Sequence, residues 1–223
     1  MAGHESLRAQ LIIPPDRAAT YLRAMDIEVS AIHRAVAAGD RAAATMSADP
    51  YAPAFASGMS RWIAVVSTLR RSLAETGLWV PDERSNQPIS RHLRSGRTLA
   101  VFSGDPATGN AENAFGPRAV HRKGAATARS LEPEEPLISL ESLLPARPTA
   151  TAALTGAWVL LYRDIGGAVR LEVSQPTGFD RDEGQYTGWA VRVILDEWSP
   201  GDQAHPPLFP ALAIDFQAGG VAA

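Results

Sequence analysis

Ala157-Trp158-Val159-Leu160-Leu161-Tyr162-Arg163 is followed by Asp164-Ile165-Gly166-Gly167 and then by Ala168-Val169-Arg170-Leu171-Glu172-Val173. This stretch decides the fold class. Its first segment is an apolar run with aromatic and β-branched residues. Its second segment is turn chemistry, and its third alternates as a half-buried strand does. A strand, a turn and a strand follow. Residues 189–195 read as a third strand and 212–216 as a fourth, with a Gly- and Asp-rich loop between 176 and 188. Together they predict an antiparallel sheet with one face on the core.

The N-terminal part has a different period. Residues 1–15 read as an arm carrying one short apolar run, Leu11-Ile12-Ile13, which Pro14-Pro15 ends. Asp16 is the expected N-cap of a helix over 17–38, with Gly39 as its stop. Leu22, Met25, Val29, Ile32 and Val36 step by three and four and fall on one face of that helix. Residues 41–46 favour another turn or two of helix. A second helix is expected over 57–76, ended by Gly77, with a matching seam of Met59, Trp62, Val66, Leu69 and Leu73. Two such helices pack most simply as an antiparallel pair. Trp62, Trp158 and Trp189 fall on predicted core faces. Trp79 and Trp198 come at element ends, where stacking platforms or partner anchors are also found.

The fold expected is therefore α+β: an N-terminal helical pair, a loop-rich basic middle and a C-terminal antiparallel sheet. The corresponding parts are 1–80, 81–153 and 154–223, and all three are compatible with one compact domain. At 45% hydrophobic and 20% charged residues the chain has too much apolar surface to be disordered throughout.

Charge is distributed unevenly. Residues 84–129 hold eight positive and two negative side chains, a local +6, while the whole chain carries −3. Lys123 is the single lysine; the preference for arginine matches the alanine- and arginine-rich proteins of GC-rich bacterial genomes. Within the basic middle, 90–95 reads as a helical turn presenting Arg91 and Arg94. Residues 98–102 read as a buried strand and 103–124 as a long loop. The turn-rich run Ser103-Gly104-Asp105-Pro106-Ala107-Thr108-Gly109-Asn110 offers backbone N–H groups to an anion, although it matches no nucleotide-binding loop. Arg91, Arg94, Arg97, Arg118, Arg122 and Lys123 are the candidate contacts to nucleic-acid phosphates. An acidic break at Glu132, Glu134 and Glu135 offers to neutralise the same cluster internally.

Several chemistries are disfavoured. There is no cysteine, so thiolate nucleophiles, disulfides and Cys-ligated metals are excluded. Asp180 and Asp182 are similar to the start of a calcium loop, but Gly184 and Val191 stand where further ligands belong, leaving only a weak metal candidate. Asp164 and Glu172 lie on a hairpin suited to a nuclease, yet Ser174 stands where that chemistry needs a lysine. His92 and His121 sit among arginines and are the candidates for metal-independent phosphodiester cleavage.

Three functions follow, in order: a non-enzymatic nucleic-acid binder, an interaction or scaffold subunit of a larger assembly, and a phosphodiesterase. In the second, the basic middle docks an acidic protein surface and the helix pair docks a partner. No cofactor, no membrane span and a cytoplasmic location are expected.

Overall fold

The computed structural model describes residues 10–84, 86–124 and 156–202. In chain order the elements are β1 (Leu11–Ile13), α1 (Pro15–Arg23), α2 (Val29–Ser47), α3 (Ala56–Ala74), β2 (Trp79–Arg84), β3 (Gln87–His92), β4 (Thr98–Ser103), β5 (Ala157–Asp164), β6 (Val169–Asp180) and β7 (Gln185–Ile194). The seven strands form one sheet in the order β1-β7-β6-β5-β4-β3-β2. The fold is mixed α/β, and strands from the early, middle and late chain share one sheet.

The sheet is mixed rather than antiparallel. β1 runs parallel to β7 and β4 parallel to β5, and the other neighbours are antiparallel. A parallel pair needs a long crossover. Between β4 and β5 the chain makes that excursion, which hides the relationship from local sequence. The expected fourth strand at 212–216 lies outside the described residues.

The expected long first helix is two helices. α1 ends at Arg23, Asp26 takes a left-handed backbone (φ 59°), and α2 starts at Val29. Tertiary donors hold the break open. Trp79 Nε1 donates to the Asp26 carbonyl at 3.0 Å, and Arg97 donates to the Met25 carbonyl at 3.0 Å. Those carbonyls would otherwise accept helical bonds. Asp16 sits in the first turn of α1, not at its cap, because Pro15 opens the helix.

Gly39 does not stop α2, which runs on to Ser47. A Cβ there would lie 2.5 Å from Val65 Cγ2. The glycine thus lets α2 and α3 approach closely at this point. α3 agrees with expectation in extent, and Gly77 (φ 71°) follows it. Val66, Leu69 and Leu73 are buried as the seam predicts, whereas Met59 is exposed.

The middle is also more regular than expected. β2 and β3 form a hairpin around Asn86 (φ 65°), and 90–92 is strand rather than helical turn. The expected loop at 176–188 is mostly strand. β6 and β7 continue to Asp180 and Gln185, with irregular register around Pro176 and Gly178. Proline lacks the ladder donor, and such bulges bend and twist a strand pair.

All three helices lie on one face of the sheet. Leu99, Val101, Trp158, Leu160, Leu171, Val173, Val191 and Val193 meet them there, in a single cluster with Leu22, Ile32, Leu69 and Leu73. Each fully buried aliphatic side chain contributes about 1.5–3 kcal/mol. Trp79 and Trp198 belong to this buried cluster, so neither is an exposed platform. On the opposite face Ile89, Ala100, Phe102, Val159, Leu161, Tyr186 and Trp189 form a second, smaller cluster.

Candidate functional site

The second face is covered by irregular chain, residues 104–117, here called the strap. Its Asp and Asn residues explain its shape. Asp105 Oδ1 accepts the Ala107 N–H at 3.0 Å, Asn110 Oδ1 accepts Glu112 N–H at 2.9 Å, and Asn113 Oδ1 accepts Phe115 N–H at 3.1 Å. Each is a side chain replacing a backbone acceptor in a turn. The strap ends against Trp189, whose indole N–H donates to the Pro117 carbonyl at 3.1 Å. A Cβ on Gly116 (φ 71°) would lie 2.3 Å from the Trp189 ring, so only glycine permits this approach.

Beneath the strap lies an ion pair with no solvent exposure at either side chain. Arg192 donates to Glu172 through Nε (3.1 Å to Oε1) and Nη2 (2.6 Å to Oε2). Ser174 Oγ donates to Glu172 Oε1 at 2.7 Å, and the Gly109 N–H donates to Oε2 at 2.8 Å. Arg192 also reaches the carbonyls of Ala107 (3.3 Å) and Asn113 (3.2 Å). Burial of a charge pair is tolerated only with such further hydrogen bonds; here both Glu172 oxygens and all three Arg192 side-chain nitrogens have partners. The expectation that the 103–110 turn presents N–H groups to an anion thus meets an unexpected partner. The anion at Gly109 is the chain's own Glu172.

Alternation places Glu172 and Ser174 on this face and Leu171 and Val173 on the other. From sequence, the polar positions of β6 read as solvent-facing. The absence of a covering element nearby in the chain gave no signal that they would be buried.

Beside the strap opens a groove of about 970 Å³. Asp105, Arg118, Asp180, Glu183, Tyr186 and Trp189 are among its walls. Asp180 Oδ1 accepts the N–H groups of Asp182 (2.8 Å) and Glu183 (2.9 Å), so it shapes the β6–β7 turn. Asp180 and Asp182 do not join a third ligand: among the described residues no group of three His, Asp or Glu side chains is arranged to hold a metal ion.

The basic residues separate into two groups, each with internal acceptors. At the β3–β4 turn, Arg91 pairs with Asp82 at 3.1 Å, and Arg94 lies 4.0 Å from Asp26 with its side chain 74% exposed. Arg97 is buried against the Met25 carbonyl. At the β6–β7 turn, Arg118 lies 3.6 Å from Glu183 with its side chain 61% exposed. Arg122 donates to the carbonyls of Glu183 and Asp182. Lys123 sits 4.3 Å over the Phe102 ring, and burial lowers its pKa. Arg129 and the acidic residues Glu132, Glu134 and Glu135 lie outside the described residues. Arg91, Arg94 and Arg118 nevertheless lie near carboxylates elsewhere, at Asp82, Asp26 and Glu183.

His92 and His121 have different surroundings. His121 is exposed. His92 is buried, with Nδ1 2.8 Å from Ser95 Oγ and Nε2 3.0 Å from Asp26 Oδ2. A serine, a histidine and a carboxylate in a row is the order of a nucleophile relay. Here, however, Nδ1 also accepts the Ser95 backbone N–H at 3.2 Å, so the ring caps the β3–β4 turn. Burial, reinforced by Arg97, lowers the His92 pKa and favours the neutral ring. Trp79 packs edge-on against it at 5.0 Å. Neither the large groove nor the smaller one beside Asp164 includes this trio.

Among the described residues no helix is long and apolar enough to cross a membrane. No family model, curated protein or solved structure matches the chain.

Proposed function

We propose that this chain is a non-enzymatic interaction protein, a subunit that docks onto another protein through the connection between α2 and α3. One observation carries the reading. Residues 50–56, Pro-Tyr-Ala-Pro-Ala-Phe-Ala, contain no charge. They stand at the surface, with Tyr51 93% and Phe55 71% exposed, and the patch continues along α3 through Met59 (50%) and Ile63 (53%). Phe55, Met59 and Ile63 are four apart and so lie along one flank of the helix. Contiguous exposed apolar area promotes association and marks interaction surfaces. The complementary partner is a protein with an apolar groove able to take Tyr51 and Phe55 as anchors.

The nucleic-acid reading, with Arg91, Arg94, Arg97, Arg118, Arg122 and Lys123 on phosphates, draws less support. Arg97 is turned inward, and the others lie near internal acceptors or an aromatic ring. A low-salt mobility-shift assay tests it. A complex that weakens steeply with added salt would reinstate it.

The docking surface is tested by placing a photoreactive phenylalanine analogue at residue 55 and, as a control, at exposed Arg71. Irradiation in the native host should give an adduct of discrete mass from residue 55 alone. That adduct should vanish when Tyr51 and Ile63 are changed to serine. Equal labelling from both positions, or none from residue 55, would overturn the proposal.

A further inference from the structure

We propose that the groove between the strap and the β6–β7 turn is a binding site for an organic cation, an alkylammonium or guanidinium group. It is independent of the α2–α3 docking surface.

The groove presents three carboxylates, Asp105, Asp180 and Glu183, against one guanidinium, Arg118. Two of those carboxylates are fixed in place. Asp105 holds the Ala107 N–H and Asp180 holds two N–H groups, each through Oδ1 alone. Their Oδ2 atoms make no hydrogen bond to any described residue. A rigid carboxylate with one oxygen committed and one unused is a preorganised acceptor, since little side-chain freedom is lost on binding.

A second, separate observation points to a ligand. Tyr186 is 95% buried and lines the groove. Its ring is enclosed by Phe179 (5.6 Å between centroids), Trp189 (4.9 Å) and Phe102 (6.4 Å). Its hydroxyl nevertheless has no hydrogen-bond partner among the described residues. The ring is buried but the hydroxyl oxygen keeps contact with solvent, so it is open to a partner in the groove that Tyr186 lines. Burial raises its pKa, so it stays a neutral hydroxyl that can accept an N–H.

The ligand class follows from shape and chemistry. No trio of metal-ligating side chains gathers among the described residues. The groove, at about 970 Å³, is at the upper end of the range for organic ligands. Phe115, which is 87% exposed, also lines the groove, and aromatic side chains attract alkylammonium and guanidinium groups. Such a cation comes either as a free polyamine or as a lysine or arginine side chain of a partner's chain.

Calorimetric titration of the full chain at low salt tests this, with spermidine in one arm and a capped Gly-Arg-Arg-Gly peptide in the other. At least one should bind saturably at a single site. Heat from spermidine alone identifies a free polyamine, and tighter binding of the peptide identifies a partner's basic segment. The double variant Asp105→Asn with Asp180→Asn keeps both turn acceptors and should weaken binding at least tenfold. Tyr186→Phe should weaken it several-fold. Asp16→Asn and Glu75→Gln, both exposed, should leave it unchanged. No saturable binding in either arm, or equal loss in the two controls, overturns the proposal.

Discussion

On one face of the sheet Leu160, Leu171 and Val193 meet the aliphatic side chains of three helices. On the other, Glu172 and Arg192 meet the backbone of an irregular strap. Both sets are fully buried, but by different physics. The helical face gains from each methylene removed from water, and its members are interchangeable within limits of volume. The strap face holds two charges whose desolvation cost must be offset by direct, well-directed hydrogen bonds. It is therefore specific and intolerant of partial loss.

That contrast can be broken most forcefully at Arg192. Arg192→Met leaves the Glu172 carboxylate buried without its cation and should cost about 3–5 kcal/mol. Adding Glu172→Leu should recover at least half of the loss, measured by urea denaturation. If the double variant is no better than the single, the pair is not held together by mutual compensation. Leu160→Ala, on the helical face, should cost about 2–5 kcal/mol by leaving a cavity. A loss below about 1 kcal/mol would show that the helical face is not close-packed there.

Glycines give a smaller and sharper comparison. Gly116 and Gly166 both have positive φ, at 71° and 80°, but only Gly116 faces a crowded neighbour, Trp189. Gly166→Ala should cost about 1 kcal/mol, for backbone conformation alone. Gly116→Ala should cost roughly twice as much, because the strap must also lift from the indole. Equal losses would mean that the strap moves freely.

The smallest expected effect depends on pH. His92 contacts Asp26 and Ser95, with Arg94 and Arg97 nearby. Its folded pKa lies below the ordinary 6.5, chiefly through burial. Between those values the unfolded chain binds more protons, so stability rises with pH. The contribution is complete above about pH 6.5 and is lost as pH falls through the lowered folded value. In His92→Asn the fall in melting temperature between pH 7 and pH 5 should be shallower than in the unsubstituted chain. A parallel fall would show that other groups dominate.

The helical face was largely legible in the sequence because its information is local. Val66, Leu69 and Leu73 repeat at helical spacing, and residues 157–163 are an unbroken apolar run. What was not legible required a partner far along the chain. The break at Asp26 depends on Trp79, His92 and Arg97, and the burial of Glu172 depends on Gly109 and Arg192. Met59 illustrates the limit of periodicity. It continues the seam in sequence, yet it lies near the start of α3, where the core no longer reaches. The concentration of positive charge in residues 84–129 is plain from the sequence itself. Its acceptors at Asp26, Asp82 and Glu183 could be found only in three dimensions.

The parallel pairing of β1 with β7 has a consequence for synthesis. Leu11 aligns with Val191, 180 positions later. At roughly 5–20 residues per second, the ribosome delivers β7 on the order of ten seconds or more after β1. Throughout that interval β1 has no strand to join, and α1, attached directly to it, lacks the β7 surface against which it finally packs. β1, made well before its partner strand, is therefore among the last of the described elements to reach its place, and until then its apolar residues Leu11, Ile12 and Ile13 lack that pairing.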